Sequence, residues 1–168
     1  MLKRMMIPVA ALLIAAPVLT GNAHAESRIG GGVHYLHNLG DIDEGNFDKD
    51  AFSVLGSYQW AGPLLKLEAD VEYVFDLFGT GEGAWQPQAY ALVGGLIYGG
   101  AGIGISHFNG DWADDPFYNL RGGVDLPLGG LDLDAFATYT FWNSDDLKSL
   151  SGDDWDSITF AAVLRFKI

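Results

Sequence analysis

The chain has 168 residues, enough for one domain and hardly for two. Its 22 acidic residues outnumber nine basic ones, a formal net charge of −13, which argues against nucleic acid because phosphate contacts need clustered Lys and Arg. There is no cysteine to form disulfides, and 23 glycines mixed with aromatics point to many short strands rather than disorder.

The first element is an address. Lys3 and Arg4 precede Met5 to Val18, which is apolar and uncharged, and Ala23-His24-Ala25 supplies a small-x-small cleavage site. This is the pattern of a secretory signal peptide over 1–25, and its apolar run is shorter than the ~20 residues of a spanning helix. The mature domain is then expected over 26–168.

Eight segments with period-two alternation follow. Ser27 to Leu39 sets Ile29, Val33 and Tyr35 against Arg28, His34 and Leu36. Ala51 to Trp60 carries Phe52, Val54, Tyr58 and Trp60 at alternate positions. Leu65 to Asp76 is the clearest strand: Leu65, Leu67, Ala69, Val71, Tyr73 and Phe75 oppose Lys66, Glu68, Asp70 and Glu72. Trp85 to Leu96 is ambiguous, because Gln86, Gln88, Tyr90 and Leu92 share one parity. Tyr98-Gly99-Gly100 reads as a turn into Ala101 to Asn109. Pro116 to Leu126 sets Tyr118, Leu120, Val124 and Leu126 against Asn119, Arg121 and Asp125. Leu131 to Trp142 sets Leu133, Ala135, Ala137, Tyr139 and Phe141 against Asp132, Asp134, Thr138 and Thr140. Trp155 to Ile168 is the last.

The breaks between these segments alternate long and short, the asymmetry of outer-membrane barrels with short periplasmic turns and longer outer loops. Each strand is about 9–12 residues, the length that crosses a bilayer at the usual tilt. The predicted fold is all-β: an eight-stranded antiparallel up-and-down transmembrane barrel. A soluble lipocalin-like barrel also has eight strands, but turns its apolar face inward.

The ends of the strands supply the aromatic evidence. Tyr35, Phe75, Trp85, Trp112, Phe117, Tyr118, Phe141, Trp142 and Trp155 fall toward the long loops, and Trp60, Tyr98 and Phe166 toward the short turns. Two belts of rings, one at each membrane interface, are the expected arrangement. In the last strand, Phe160, Ala162, Leu164, Phe166 and Ile168 take every second position, with Arg165 and Lys167 on the other face.

With this signal peptide, these eight strands and this terminal strand, the chain resembles the small eight-stranded outer-membrane β-barrel superfamily, of the OmpA-transmembrane and OmpX kind. The resemblance is architectural and covers the mature chain. It implies assembly by periplasmic chaperones and the barrel-assembly machinery, which usually reads a terminal Phe; here Ile168 stands last and Phe166 two residues before it.

An eight-stranded barrel is only wide enough for side chains to fill it. Lys66, Glu68, Asp70, Glu72, Arg121, Asp132, Asp134, Arg165 and Lys167, with Arg28, are expected in the lumen. By height, Arg121 should meet Asp70 or Glu72, and Arg165 and Lys167 should meet Asp132 and Glu68. Buried charges need partners, so the expectation is a salt-bridge plug and not a porin. The loops are acidic, from Asp41 to Asp50, from Asp111 to Asp115 and from Asp145 to Asp156, but Asp41-x-Asp43-x-Gly45 lacks the spacing of a calcium loop. No cofactor or dedicated metal is expected. Lipopolysaccharide, bridged diffusely by divalent cations, and outer-membrane lipid are the expected partners of a monomer.

One run could carry chemistry. Ser106-His107-Phe108-Asn109 faintly resembles the His-x-Ser-Asn run of lipid A deacylase barrels, which implies His107 as a base on the outer wall. Asn109 stands where the nucleophilic Ser belongs, and acyl transfer needs a nucleophile beside its base. The favoured function is therefore a non-enzymatic barrel with a structural or surface-interaction role. The alternative is a lipid A-modifying enzyme.

Overall fold

The computed structural model describes residues 25–38, 50–75, 83–142 and 157–168. The signal segment, Trp155 and most of the acidic loop residues lie outside them. Among the described residues there are ten strands: β1 (Glu26–Asn38), β2 (Asp50–Ala61), β3 (Leu65–Val74), β4 (Ala84–Gly94), β5 (Ile97–Gly104), β6 (His107–Phe108), β7 (Asp111–Trp112), β8 (Phe117–Pro127), β9 (Leu131–Phe141) and β10 (Ser157–Lys167).

Neighbouring long strands pair antiparallel, β1 pairs with β10, and β3 pairs with β4, which closes the sheet. The result is an eight-stranded antiparallel up-and-down barrel. Closure leaves no free strand edge in the wall, which suits a structure that crosses lipid. The short strands β6 and β7 form a hairpin that continues the wall beyond β5, tied to β4 by the pair Trp85 and His107.

Parity decides which way each side chain faces. Along β2, Ala51, Ser53, Leu55, Ser57, Gln59 and Ala61 are buried, while Phe52, Val54, Gly56, Tyr58 and Trp60 are exposed. Along β3, Lys66, Glu68, Asp70 and Glu72 are buried in the lumen. Large apolar side chains are thus exposed on the outer wall and charges enclosed, the reverse of a soluble barrel and the pattern of a membrane-spanning one. The mixed face of β4 points inward: Gln88, Tyr90 and Leu92 are all buried.

Inner-wall glycines make room for the largest lumen side chains. A Cβ on Gly30 would come within 2.7 Å of the Arg165 side chain, and one on Gly102 within 2.4 Å of the Tyr90 ring. One on Gly104 would lie 2.3 Å from the Phe117 ring. Each glycine is the small half of a small-against-large pair, which lets a narrow lumen pack densely.

Two turns differ from the sequence reading. The β4–β5 turn is at Gly94-Gly95, where Gly94 has φ 132°, a backbone angle that L side chains rarely adopt. Tyr98-Gly99-Gly100 therefore lies inside β5 and not in a turn. The segment read as ending at Asn109 is divided: β5 stops at Gly104, the chain is strand again at β6 after residues 105–106, and Asn109 (φ 54°) and Gly110 (φ 86°) make the tight β6–β7 turn, the Asn-Gly signature of a two-residue hairpin.

Candidate functional site: a column of charges in the lumen

The inward side chains form three tiers between the short turns and the long loops. The lowest tier joins β1, β3, β8 and β9. Arg28 donates to Asp125 at 2.7 Å, Lys66 donates to the same Asp125 oxygen at 2.6 Å, and Arg28 Nε lies 3.2 Å from Asp132.

The middle tier crosses the barrel. Arg121 on β8 reaches Glu68 at 2.6 Å and Asp70 at 3.2 Å on β3, and Arg165 on β10 lies 2.9 Å from the same Glu68 oxygen. Arg165 also donates to Asp134, which Tyr98 engages at 2.7 Å. The Arg121 guanidinium is sandwiched between the rings of Tyr90, 3.6 Å from its centroid, and Phe136, 3.9 Å. Flat cation faces on two rings keep the charge attracted where no water can hydrate it.

The upper tier is centred on Glu72, which accepts from Gln88 at 2.7 Å and from Ser53, and meets His34 Nδ1 at 3.0 Å. Asn119 donates to the Gln88 carbonyl at 2.8 Å and accepts from Thr140 at 2.7 Å. Above these, Leu36, Ala51 and Val74 form a buried apolar cluster that caps the column.

The tiers are not fully balanced. Among the described residues, Glu68, Asp70, Glu72, Asp125, Asp132 and Asp134 face Arg28, Lys66, Arg121 and Arg165, six carboxylates against four permanent cations. Several buried atoms lack a hydrogen-bond partner: Asp70 Oδ1, Asp125 Oδ1, both Asp132 oxygens and His34 Nε2. Arg28 Nε and Arg165 Nη2 lie within ion-pair distance of a carboxylate without hydrogen-bond alignment.

No family model and no curated protein matches the sequence. Solved structures do. Neisserial surface protein A is similar at a TM-score of 0.62 and 14% identity, over 84% of this chain and 97% of that one. The outer membrane protein OprG from Pseudomonas aeruginosa is similar at 0.51 and 14% identity, over 88% and 98%. Ail, the attachment invasion locus protein of Yersinia pestis, is similar at 0.50 and 14% identity, over 86% and 97%.

The fold is that of the small outer-membrane β-barrels.

Within this outer-membrane barrel fold, some expected partners change. Arg121 meets Glu68 and Asp70, and Glu72 belongs to His34 instead. Arg165 meets Glu68 and Asp134, whereas Asp132 is Arg28's partner. Lys167 is not in the lumen network. It sits at the short-turn rim, partly exposed, 3.0 Å from Glu26. The sequence reading also missed how far neutral groups join in: Gln59 donates to Glu68 at 2.6 Å, and Gln88 and Asn119 link the upper tier across strands. Their inward parity was the available signal.

The aromatic positions divide. Tyr35, Trp60, Phe75, Trp85, Trp112 and Tyr118 are exposed on the outer surface. Phe141 has outward parity but is covered, stacked on Tyr118 and Tyr139 at 5.7 and 5.9 Å. Tyr98 is a correction: shifting the turn to Gly94-Gly95 moves it to the inner face, where it is buried against Asp134. Phe117 is likewise buried, and Trp142 packs on it at 5.3 Å as part of the lumen's upper end. In the terminal strand, Phe160, Ala162, Leu164, Phe166 and Ile168 are all exposed.

His107 packs on Trp112 at 4.8 Å and pairs across the wall with Trp85. Ser106 faces inward, buried, and accepts from Gln86 at 3.0 Å. Asn109 is consumed by the hairpin turn. The described residues therefore bring no hydroxyl nucleophile to His107.

Proposed function

We propose that this chain is a non-enzymatic integral outer-membrane protein with a side-chain-filled lumen and a structural or surface-interaction role. On this reading it is exported through the periplasm of a Gram-negative-type bacterium after loss of the signal peptide at 1–25. Assembly by the barrel-assembly machinery follows. The observation that carries the proposal is the middle tier. Arg121 and Arg165, both buried, join β8 and β10 to Glu68 on β3, across the lumen from wall to wall. A chain of desolvated ion pairs in that position leaves nothing for solute flow, since moving one charge strands its partner.

The long-loop rim supports a surface role. Asp50, Asp111, Asp114 and Asp115 are exposed there, beside exposed Trp85, Phe108 and Trp112. Rings seat in the headgroup layer, and carboxylates above them recruit divalent cations that bridge to lipopolysaccharide phosphates.

Two measurements on producing cells test this reading. The protein should fractionate with the detergent-insoluble outer membrane, and the mass spectrum of lipid A should be the same with and without it. A soluble periplasmic protein, or a change in lipid A acylation, would overturn it.

A further inference from the structure

We propose that the lumen is a binding site for one proton, carried by Asp70 in the middle tier. The charged side chains of that tier are Glu68, Asp70 and Asp134 against Arg121 and Arg165, and none is more than 2% exposed. Among the described residues the lower tier is even, with Arg28 and Lys66 against Asp125 and Asp132, so it has no charge to lend. The middle tier is left one positive charge short where water does not reach. A carboxylate so placed is costly, and taking up a proton removes the excess.

The hydrogen-bond donors decide which carboxyl carries it. Glu68 accepts from Arg121 and from Gln59 at 2.6 Å each and lies 2.9 Å from Arg165. Asp134 accepts from Arg165 and, at 2.7 Å, from Tyr98. Asp70 has the poorest set. Arg121 reaches its Oδ2 at the longer distance of 3.2 Å, and its enclosed Oδ1 has no partner.

No other cation faces Asp70. The surrounding wall presents Ser57 on β2, Tyr90 on β4, Tyr98 on β5, Arg121 on β8, Asp134 on β9 and Arg165 on β10, with Glu68 on its own strand. His34 on β1 belongs to the tier above, with Glu72. Both arginines are already committed to Glu68. A proton makes Asp70 a donor to Glu68, two residues away on the same face and within hydrogen-bonding reach, so that the two carboxyl groups act as one proton-sharing pair. Loss of the proton sets two adjacent carboxylates on one guanidinium. The tie from β3 to β8 is therefore tightest while the proton stays.

The test is infrared spectroscopy of the folded barrel in detergent micelles at neutral pH, with and without ¹³C at the aspartate side-chain carboxyl. A protonated-carboxyl C=O band that shifts with the label, and is missing from Asp70→Asn, is expected. No such band in the unaltered chain, or one that the label does not move, would overturn the proposal, and neither result depends on a variant. A second arm compares folding equilibria. Aspartate in the unfolded chain is ionised above about pH 5, so the folded chain holds one proton more and loses stability as pH rises. Asp70→Asn has no such proton to lose. Its folding constant relative to the unaltered chain should therefore rise about ten-fold per pH unit from about pH 5 toward neutrality, and a ratio independent of pH would contradict the site. At neutral pH Asp70→Asn should fold at least as stably as the unaltered chain and Asp134→Asn less stably. The reverse order would take the proton away from Asp70.

Discussion

Arg121 has two carboxylates at its nitrogens and an aromatic ring on each face, and all of these partners are enclosed. Replacing it by methionine keeps most of the volume and removes the charge, leaving Glu68 and Asp70 underpaired in a site water cannot reach. The loss of one partner from a buried ion pair costs about 3–5 kcal/mol, so Arg121→Met should lower the urea midpoint of the barrel in lipid vesicles by that equivalent. Lys167→Ala is the contrast. Its pair with Glu26 is at the rim, with side chains 34% and 42% exposed, where such pairs contribute about 0–1 kcal/mol. An unchanged midpoint for Arg121→Met, or a large loss for Lys167→Ala, would contradict the assignment of core and rim. Individual pairings of this kind were only partly legible in the sequence: Arg121 with Asp70 and Arg165 with Glu68 were expected, Arg121 with Glu68 and Arg165 with Asp134 were not. Parity put Glu68, Arg121 and Arg165 on one inner surface, but strand stagger sets their relative heights, and stagger has no local sequence signal.

At the scale of single elements, glycines on opposite faces of the wall should behave in opposite ways. A Cβ on Gly102 would enter the Tyr90 ring, so Gly102→Ala should destabilise the barrel by about 1–3 kcal/mol in the same unfolding assay. A Cβ on Gly56 meets nothing within 4 Å, so Gly56→Ala should leave stability unchanged or raise it by about 0.4–1 kcal/mol. Gly110→Ala places a methyl at φ 86° in the β6–β7 turn. It should loosen the amides of 107–112 in hydrogen exchange, at a cost of about 1 kcal/mol to that hairpin, with the barrel wall unaffected. Strands were read well where one face was charged, as in β3. They were read badly where the inner face was glycine, as in β5. Tyr98-Gly99-Gly100 has the composition of a turn, yet Gly100 serves close packing, since its Cβ would lie 2.2 Å from the Ala91 carbonyl.

At the scale of the whole molecule, the alternation of long and short breaks and the exposed apolar parity were enough to anticipate a closed eight-stranded membrane barrel. Charge within it was anticipated, with Arg121 beside Asp70 and Arg165 beside Glu68, while the shares of His34, Asp134 and Arg28 in the tiers were not. The same reasoning had made His107 a candidate base, and the fold explains why that resemblance does not continue: Ser106 turns inward and Asn109 makes the hairpin. His107→Ala should therefore leave lipid A unchanged by mass spectrometry, and altered acylation would contradict the placement. What remains central is a lumen closed by ion pairs from wall to wall. Single-channel recording of the purified, refolded barrel in planar bilayers tests this most directly. The account predicts no steady conductance of porin size at any moderate voltage, and a steady porin-size conductance from the unaltered chain would contradict it.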